Sequence, residues 1–164
     1  MPKIFTEKER VEIIHALQKS AMSQLSKVGV RKTTVDELCK NSHLAKGTFY
    51  LFYSSKEELF LDCLKSFADK LEEMYLDMLQ NLDENHIVTS LTTVFTTVAQ
   101  RFYREGMFRF LDEENLILIK RKVPEIRLKD LEDTISNMFH TLFSYFSIDS
   151  EEDIRAFADG YLAV

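Results

Sequence analysis

Apolar residues recur along this chain at steps of three and four, the spacing that lines one face of an α-helix. Thr6, with Glu9 three residues on, has the pattern of a capping box. Behind it Val11, Ile14, Leu17, Ala21, Leu25 and Val28 form one stripe, and Gly29 is a natural stop just past it. Thr34 and Glu37 repeat the box ahead of Val35, Leu38 and Cys39, which predicts a short second helix. Asn41, Ser42 and His43 then break the pattern with residues that tolerate turn conformations. A third short helix is expected to begin near Ala45, with Phe49 and Tyr53 on its inner side. Ser55 caps the next, with Glu58 at the box position.

From Lys56 to about Leu82 runs one long pattern without internal Gly or Pro: Leu59, Cys63, Phe67, Leu71, Met74, Met78 and Leu82. A helix of that length leaves a small head and enters a larger body, so it can carry rotation from one to the other. A polar break over residues 83–86 precedes a helix from Ile87 to Arg104, closed by Gly106. Met107 to about Lys122 is helical or broken into turns. Pro124 fits the first position of a further helix, which carries Ile126, Leu131, Ile135, Met138, Phe139, Leu142, Phe143 and Phe146. A last stripe is formed by Ile154, Phe157, Ala158, Tyr161 and Leu162. The sequence stops inside that stripe at Val164 with no cap, and the body is therefore expected to be C-terminally incomplete. The expected fold class is all-α, with a three-helix head over residues 1–55 joined by the long helix to a helical body over residues 56–164.

Composition sharpens this. Only 4 Gly and 2 Pro in 164 residues leave few breakers, which favours helix throughout. The net charge of -6 argues against a generally adhesive nucleic-acid binder. That total hides an asymmetry: residues 1–60 carry 10 Lys and Arg against 7 Asp and Glu, and the remainder carries 11 against 20. A basic head on an acidic body suggests that only the head faces phosphates. Cys39 and Cys63 fall among apolar helical positions and read as buried, reduced thiols, without the spacing of a metal site or disulfide framework. The longest uncharged runs, residues 85–100 and 134–148, are 16 and 15 residues long, whereas a membrane span needs about 20. No signal peptide is visible, and a cytoplasmic chain is expected.

Helix, tight turn and a short helix with a basic, hydroxyl-bearing start make up the helix-turn-helix arrangement. A helix entering the major groove presents short or hydrogen-bonding side chains near its N-terminus, which Lys46, Gly47 and Thr48 supply. The run Lys46-Gly47-Thr48-Phe49-Tyr50, followed by Tyr53-Ser54-Ser55-Lys56-Glu57-Glu58-Leu59-Phe60, resembles the N-terminal domain of the tetracycline-repressor (TetR) family. Residues Thr33 to Leu38 are similar to the second helix of that family. The resemblance covers roughly the first third of the chain. It implies DNA-binding positions at Thr33, Thr34, Lys46, Gly47, Thr48, Tyr50 and Lys56, with Lys46, Gly47 and Thr48 facing the groove. Tyr50 would meet phosphate through its hydroxyl, and Thr33 and Lys56 would grip it on either side. The sequence departs from the family's pattern where His43 replaces a turn glycine, Ala45 replaces a capping serine, and Phe52 stands at an often polar position.

The resemblance further implies a ligand-binding and dimerisation role for the body: a homodimer on a palindromic operator of double-stranded DNA, repressing transcription until a small lipophilic ligand releases it. The implied pocket residues are Phe95, Phe102, Phe108, Phe110, Met138, Phe139 and Phe143, although aromatic residues at helical spacing serve equally well as core. Ile154, Phe157, Ala158, Tyr161 and Leu162 are the candidate dimer seam. An enzyme is a poor rival. Glu12 and His15 form a single Glu-x-x-His pair where a di-iron bundle needs two, and no phosphate loop or nucleophile motif is present. No catalytic residue, metal or cofactor is expected. The remaining alternative is a helical protein-interaction module that has lost DNA binding.

Overall fold

The structure, a computed structural model, describes residues 5–83 and 86–144. Every regular element among them is helical. Helix α1 runs Glu7–Lys32 and starts on a complete capping box: the Glu9 amide donates to the Thr6 hydroxyl at 3.3 Å, and the Thr6 amide donates to the Glu9 carboxylate at 2.8 Å. Gly29, at φ +78°, breaks the helix where a stop was expected. The buried face differs from the expected stripe. Ile13, Leu17, Ser20, Ala21, Gln24 and Leu25 point inward, whereas Val11 and Val28 are exposed. A polar residue can join that face because it finds a partner inside: the Ser20 hydroxyl donates to the Leu38 carbonyl at 3.1 Å.

Helix α2 (Val35–Ser42) carries the second capping box, from Thr34 and Glu37. It ends at His43, which takes the left-handed conformation at φ 56° and is the described non-glycine residue that does so. Its amide closes back onto the Lys40 carbonyl at 3.3 Å, and the Leu44 amide onto that of Cys39 at 2.9 Å, so the helix end is satisfied without glycine. Helix α3 (Lys46–Phe49) follows α2 after three residues. Ala45 gives it no side-chain cap, but its carbonyl accepts the Thr48 and Phe49 amides.

Helix α4 (Lys56–Gln80) begins at Ser55, whose hydroxyl accepts the Glu58 amide at 3.2 Å. The expected box is not reciprocal. The Glu58 carboxylate turns instead to the amide and hydroxyl of Ser54, at 2.8 and 2.7 Å. Helix α5 (Ile87–Arg104) is closed by Gly106 at φ 71°. A 3-10 helix (Met107–Leu111), α6 (Glu113–Lys122) and α7 (Glu125–Ser144) follow. Pro124 sits one place before α7, where its carbonyl accepts the Arg127 amide at 2.9 Å. It therefore occupies the cap rather than the first helical position.

One buried apolar cluster runs from the head, through Leu17, Leu25, Leu38 and Phe49, along Leu59, Phe60, Phe67 and Leu71 of α4, into Phe110, Ile119, Val123 and Leu131 of the body. Cys39 and Cys63 lie inside it as free thiols, and burial pushes both up from the usual thiol range. Neither is therefore a ready nucleophile. No helix among the described residues is long and apolar enough to cross a membrane.

Candidate nucleic-acid interface

Helix α3 stands at the surface on a scaffold of short contacts. Phe49 is its buried anchor, with ring centroids 5.3 Å from Tyr50 and 5.9 Å from Tyr53. Tyr53 is buried as well, and its amide returns to the Phe49 carbonyl at 3.0 Å. Phe52 packs against Phe5 with ring centroids 5.7 Å apart, and the Arg10 guanidinium lies 5.0 Å over the Phe52 ring. A cation over an aromatic face is favourable, which accounts for an aromatic residue at this often polar position.

Opposite that anchor, the residues expected to face a groove are open. Lys46, Gly47 and Tyr50 are exposed, and Thr48 is half-buried. A Cβ built on Gly47 would meet no atom within 4 Å. Lys46 is not idle: its ammonium lies 2.9 Å from a carboxylate oxygen of Asp36 in the first turn of α2. The hydrogen bond from Lys46 to Asp36 is the largest of the influences that raise the lysine pKa.

The flanking positions have inward duties. Thr33 is buried, and its hydroxyl donates to the Gly29 carbonyl at 2.7 Å. The Thr34 hydroxyl caps α2 and donates to Glu37 at 2.8 Å, and these bonds lower the Glu37 pKa. The Lys56 ammonium donates to the carbonyls of Val30, Arg31 and Thr33 at 2.8, 3.0 and 2.6 Å. Burial is the main cause that lowers its pKa. Thr33 and Lys56 therefore hold the α1–α2 junction with their side chains rather than reaching outward.

The same junction is held from the body by Asn115 of α6, which no periodicity pointed to. It is buried, and its side-chain oxygen accepts the Val30 amide at 3.1 Å and the Arg31 amide at 3.4 Å. Its side-chain nitrogen donates to the Arg109 carbonyl at 2.9 Å. Beside it Arg31 and Glu114 form an exposed ion pair at 2.9 Å.

Among the described residues, the aromatic side chains expected in the body lie in different surroundings. Phe110 is buried against Phe60, with ring centroids 6.2 Å apart, and Phe102 lies against Phe67 at 5.7 Å. Phe95 and Phe108 are exposed. Met138 is half-buried, and its carbonyl accepts from the Tyr75 hydroxyl at 3.0 Å. The side chains of Phe139 and Phe143, and all of Ile154, Phe157, Ala158, Tyr161 and Leu162, lie outside the described residues. A widely open depression of about 520 Å³ runs along α5 past Phe95, Ala99 and Tyr103.

A capped helix, a left-handed turn and a short, outward-facing helix anchored on a common core define a helix-turn-helix protein. Residues 17–63 match the family described as bacterial regulatory proteins, tetR family. That match covers the head from Leu17 onward and the first turns of α4. A 64-residue stretch is 34% identical to the uncharacterized HTH-type transcriptional regulator YuxN of Bacillus subtilis, covering 39% of this chain and 20% of that protein. The match thus spans about a fifth of the relative's length. The fold extends further. A TetR family transcription regulator from Marinobacter aquaeolei superposes with a TM-score of 0.64 at 18% identity, over 85% of this chain and 71% of that one. The Thermus thermophilus repressor FadR, solved in complex with lauroyl-CoA, superposes with a TM-score of 0.53 at 20% identity, over 90% of this chain and 76% of that one.

Proposed function

We propose that this chain represses transcription as a homodimer on a palindromic operator, with the start of α3 in the major groove, and that a small lipophilic ligand in the body releases it. The observation that carries the reading is the open surface at Gly47, where α3 leaves its backbone accessible to an approaching partner. Lys46 would exchange Asp36 for a base edge, and the exposed Tyr50 would donate its hydroxyl to phosphate. Thr34 lies at the exposed start of α2, where backbone amides suit an anion. Thr33 and Lys56 contribute through the backbone they hold.

One head offers few base contacts, and a twofold dimer doubles them on two half-sites. The stripe from Ile154 to Leu162 would supply part of the seam. The Thermus repressor of similar fold, solved with lauroyl-CoA, supports a lipophilic ligand for the body. Such a ligand acts only by binding one conformer better than the other. A coupling of about 1–3 kcal/mol would change operator affinity roughly five- to 150-fold.

The test is selection of duplexes from a random pool by the full chain, followed by fluorescence anisotropy across a salt series. Log affinity should fall linearly with log salt. Lys46→Ala should weaken the selected duplex by about 1–3 kcal/mol and shift base preference at one position. Failure to enrich any duplex sinks the reading. One observation favours the protein-interaction alternative: the Lys46 ammonium is already paired with Asp36. Salt-insensitive binding to DNA would favour it too.

A further inference from the structure

The turn that ends the reading helix is tied to the body by a polar relay. Arg127 lies in the first turn of α7, its amide fixed on the Pro124 carbonyl at 2.9 Å. Its guanidinium reaches two carboxylates one turn apart on α4, Glu58 at 3.4 Å and Asp62 in a close ion pair. Each carboxylate turns one oxygen to Arg127 and the other to the segment that follows α3. The second oxygen of Asp62 accepts from the Tyr53 hydroxyl at 2.9 Å. The second oxygen of Glu58 accepts from the amide and the hydroxyl of Ser54.

The chemistry makes this more than a surface ion pair. Glu58 and Asp62 are 17% and 29% exposed, so both charges are partly removed from water. Like charges four residues apart on a helix repel, and Arg127 is the cation placed between them. Its planar fork can serve both at once, which an ammonium cannot do with the same geometry. The Tyr53 phenol is buried and needs an acceptor, and Asp62 provides it.

We infer that Arg127 is a positioning residue for the DNA-reading helix, fixing α3 from the body through Asp62 to Tyr53 and through Glu58 to Ser54. The inference deepens the proposed function and takes from it the role of α3. It makes the first turn of α7 a place where a change in the body reaches the reading head without passing along the whole of α4.

The experiment is site-resolved amide hydrogen exchange on the full chain without DNA, for Arg127→Gln, Tyr53→Phe and the double variant. The amides of residues 48–53, which bond within the α3 turn, should exchange about tenfold faster in each single variant. Amides of α1 near Leu17 should change less than about twofold. The double variant should be no faster than the faster single, because both changes cut one relay. Lys65→Met, which removes the separate α4–α7 ion pair with Asp130 at 2.7 Å, should leave residues 48–53 unaffected. Unchanged exchange in Tyr53→Phe, or a double variant equal to the product of the singles, would overturn the inference. Should Arg127→Gln fail to fold, Tyr53→Phe, which removes only a hydroxyl, decides alone. Failure to select any duplex would defeat the DNA reading, while the exchange rates would still decide the relay.

Discussion

A side chain on Gly47 would meet nothing of its own molecule, and its φ lies outside the left-handed region. Neither packing nor backbone conformation therefore calls for glycine there. Glycine within a helix is roughly 0.5–1 kcal/mol less favourable than alanine. Gly47→Ala should accordingly raise stability by about that amount in a urea titration. If a duplex approaches this backbone, the added methyl should lower affinity for the selected duplex at the same time. A more stable variant that binds DNA equally well would show that the missing side chain has no part in the approach. Gly29 is the contrasting case: φ is +78°, and an added Cβ would sit 3.4 Å from the side-chain nitrogen of Asn115.

Among the elements, the junction of α1 and α2 is one place where head and body share hydrogen bonds. Asn115 of α6 takes the amides of Val30 and Arg31, while Lys56 of α4 takes the carbonyls of the same two residues. The last turn of α1, past the kink at Gly29, is thus held on both of its polar edges. Asn115→Leu keeps the bulk and removes the partner of at least one buried amide. It should cost about 1–3 kcal/mol in urea unfolding, with little change in the denaturant slope. A loss below about 0.5 kcal/mol, the range of an ordinary surface substitution, would mean that the junction is held by other contacts. The contrast with Arg31–Glu114 is instructive, because that pair is exposed on both sides and is expected to contribute little.

For the whole molecule, the charge asymmetry and the proposed dimer combine. A head with an excess of cations can meet phosphate while an acidic body stays clear of it. Two heads on one twofold axis would then read two half-sites at fixed spacing. Phe157→Glu places a charge on the candidate seam. It should yield monomers by sedimentation velocity and lower affinity for the two-half-site duplex at least about tenfold, while a single half-site is bound as before. A variant that stays dimeric would remove the stripe from the seam.

The sequence by itself settled the helical fold, most of the element boundaries and the outward-facing motif. Capping boxes, the 3.6-residue period and glycine stops act within a few residues, so Thr6 with Glu9 and Thr34 with Glu37 are legible before any packing is known. The phosphate-contact positions implied at Thr33 and Lys56 gave no sign that both side chains turn inward. The aromatic residues of the body were equally silent on whether they line a cavity or fill a core. Periodicity likewise set Val11 and Val28 on the buried side, and packing left them exposed. Tertiary structure alone joined Asn115 to Val30, and Arg127 to Asp62 and Tyr53. The reason is physical: a hydrogen bond between residues far apart in the chain depends on how helices cross, and crossing angles follow from the packing of the whole core.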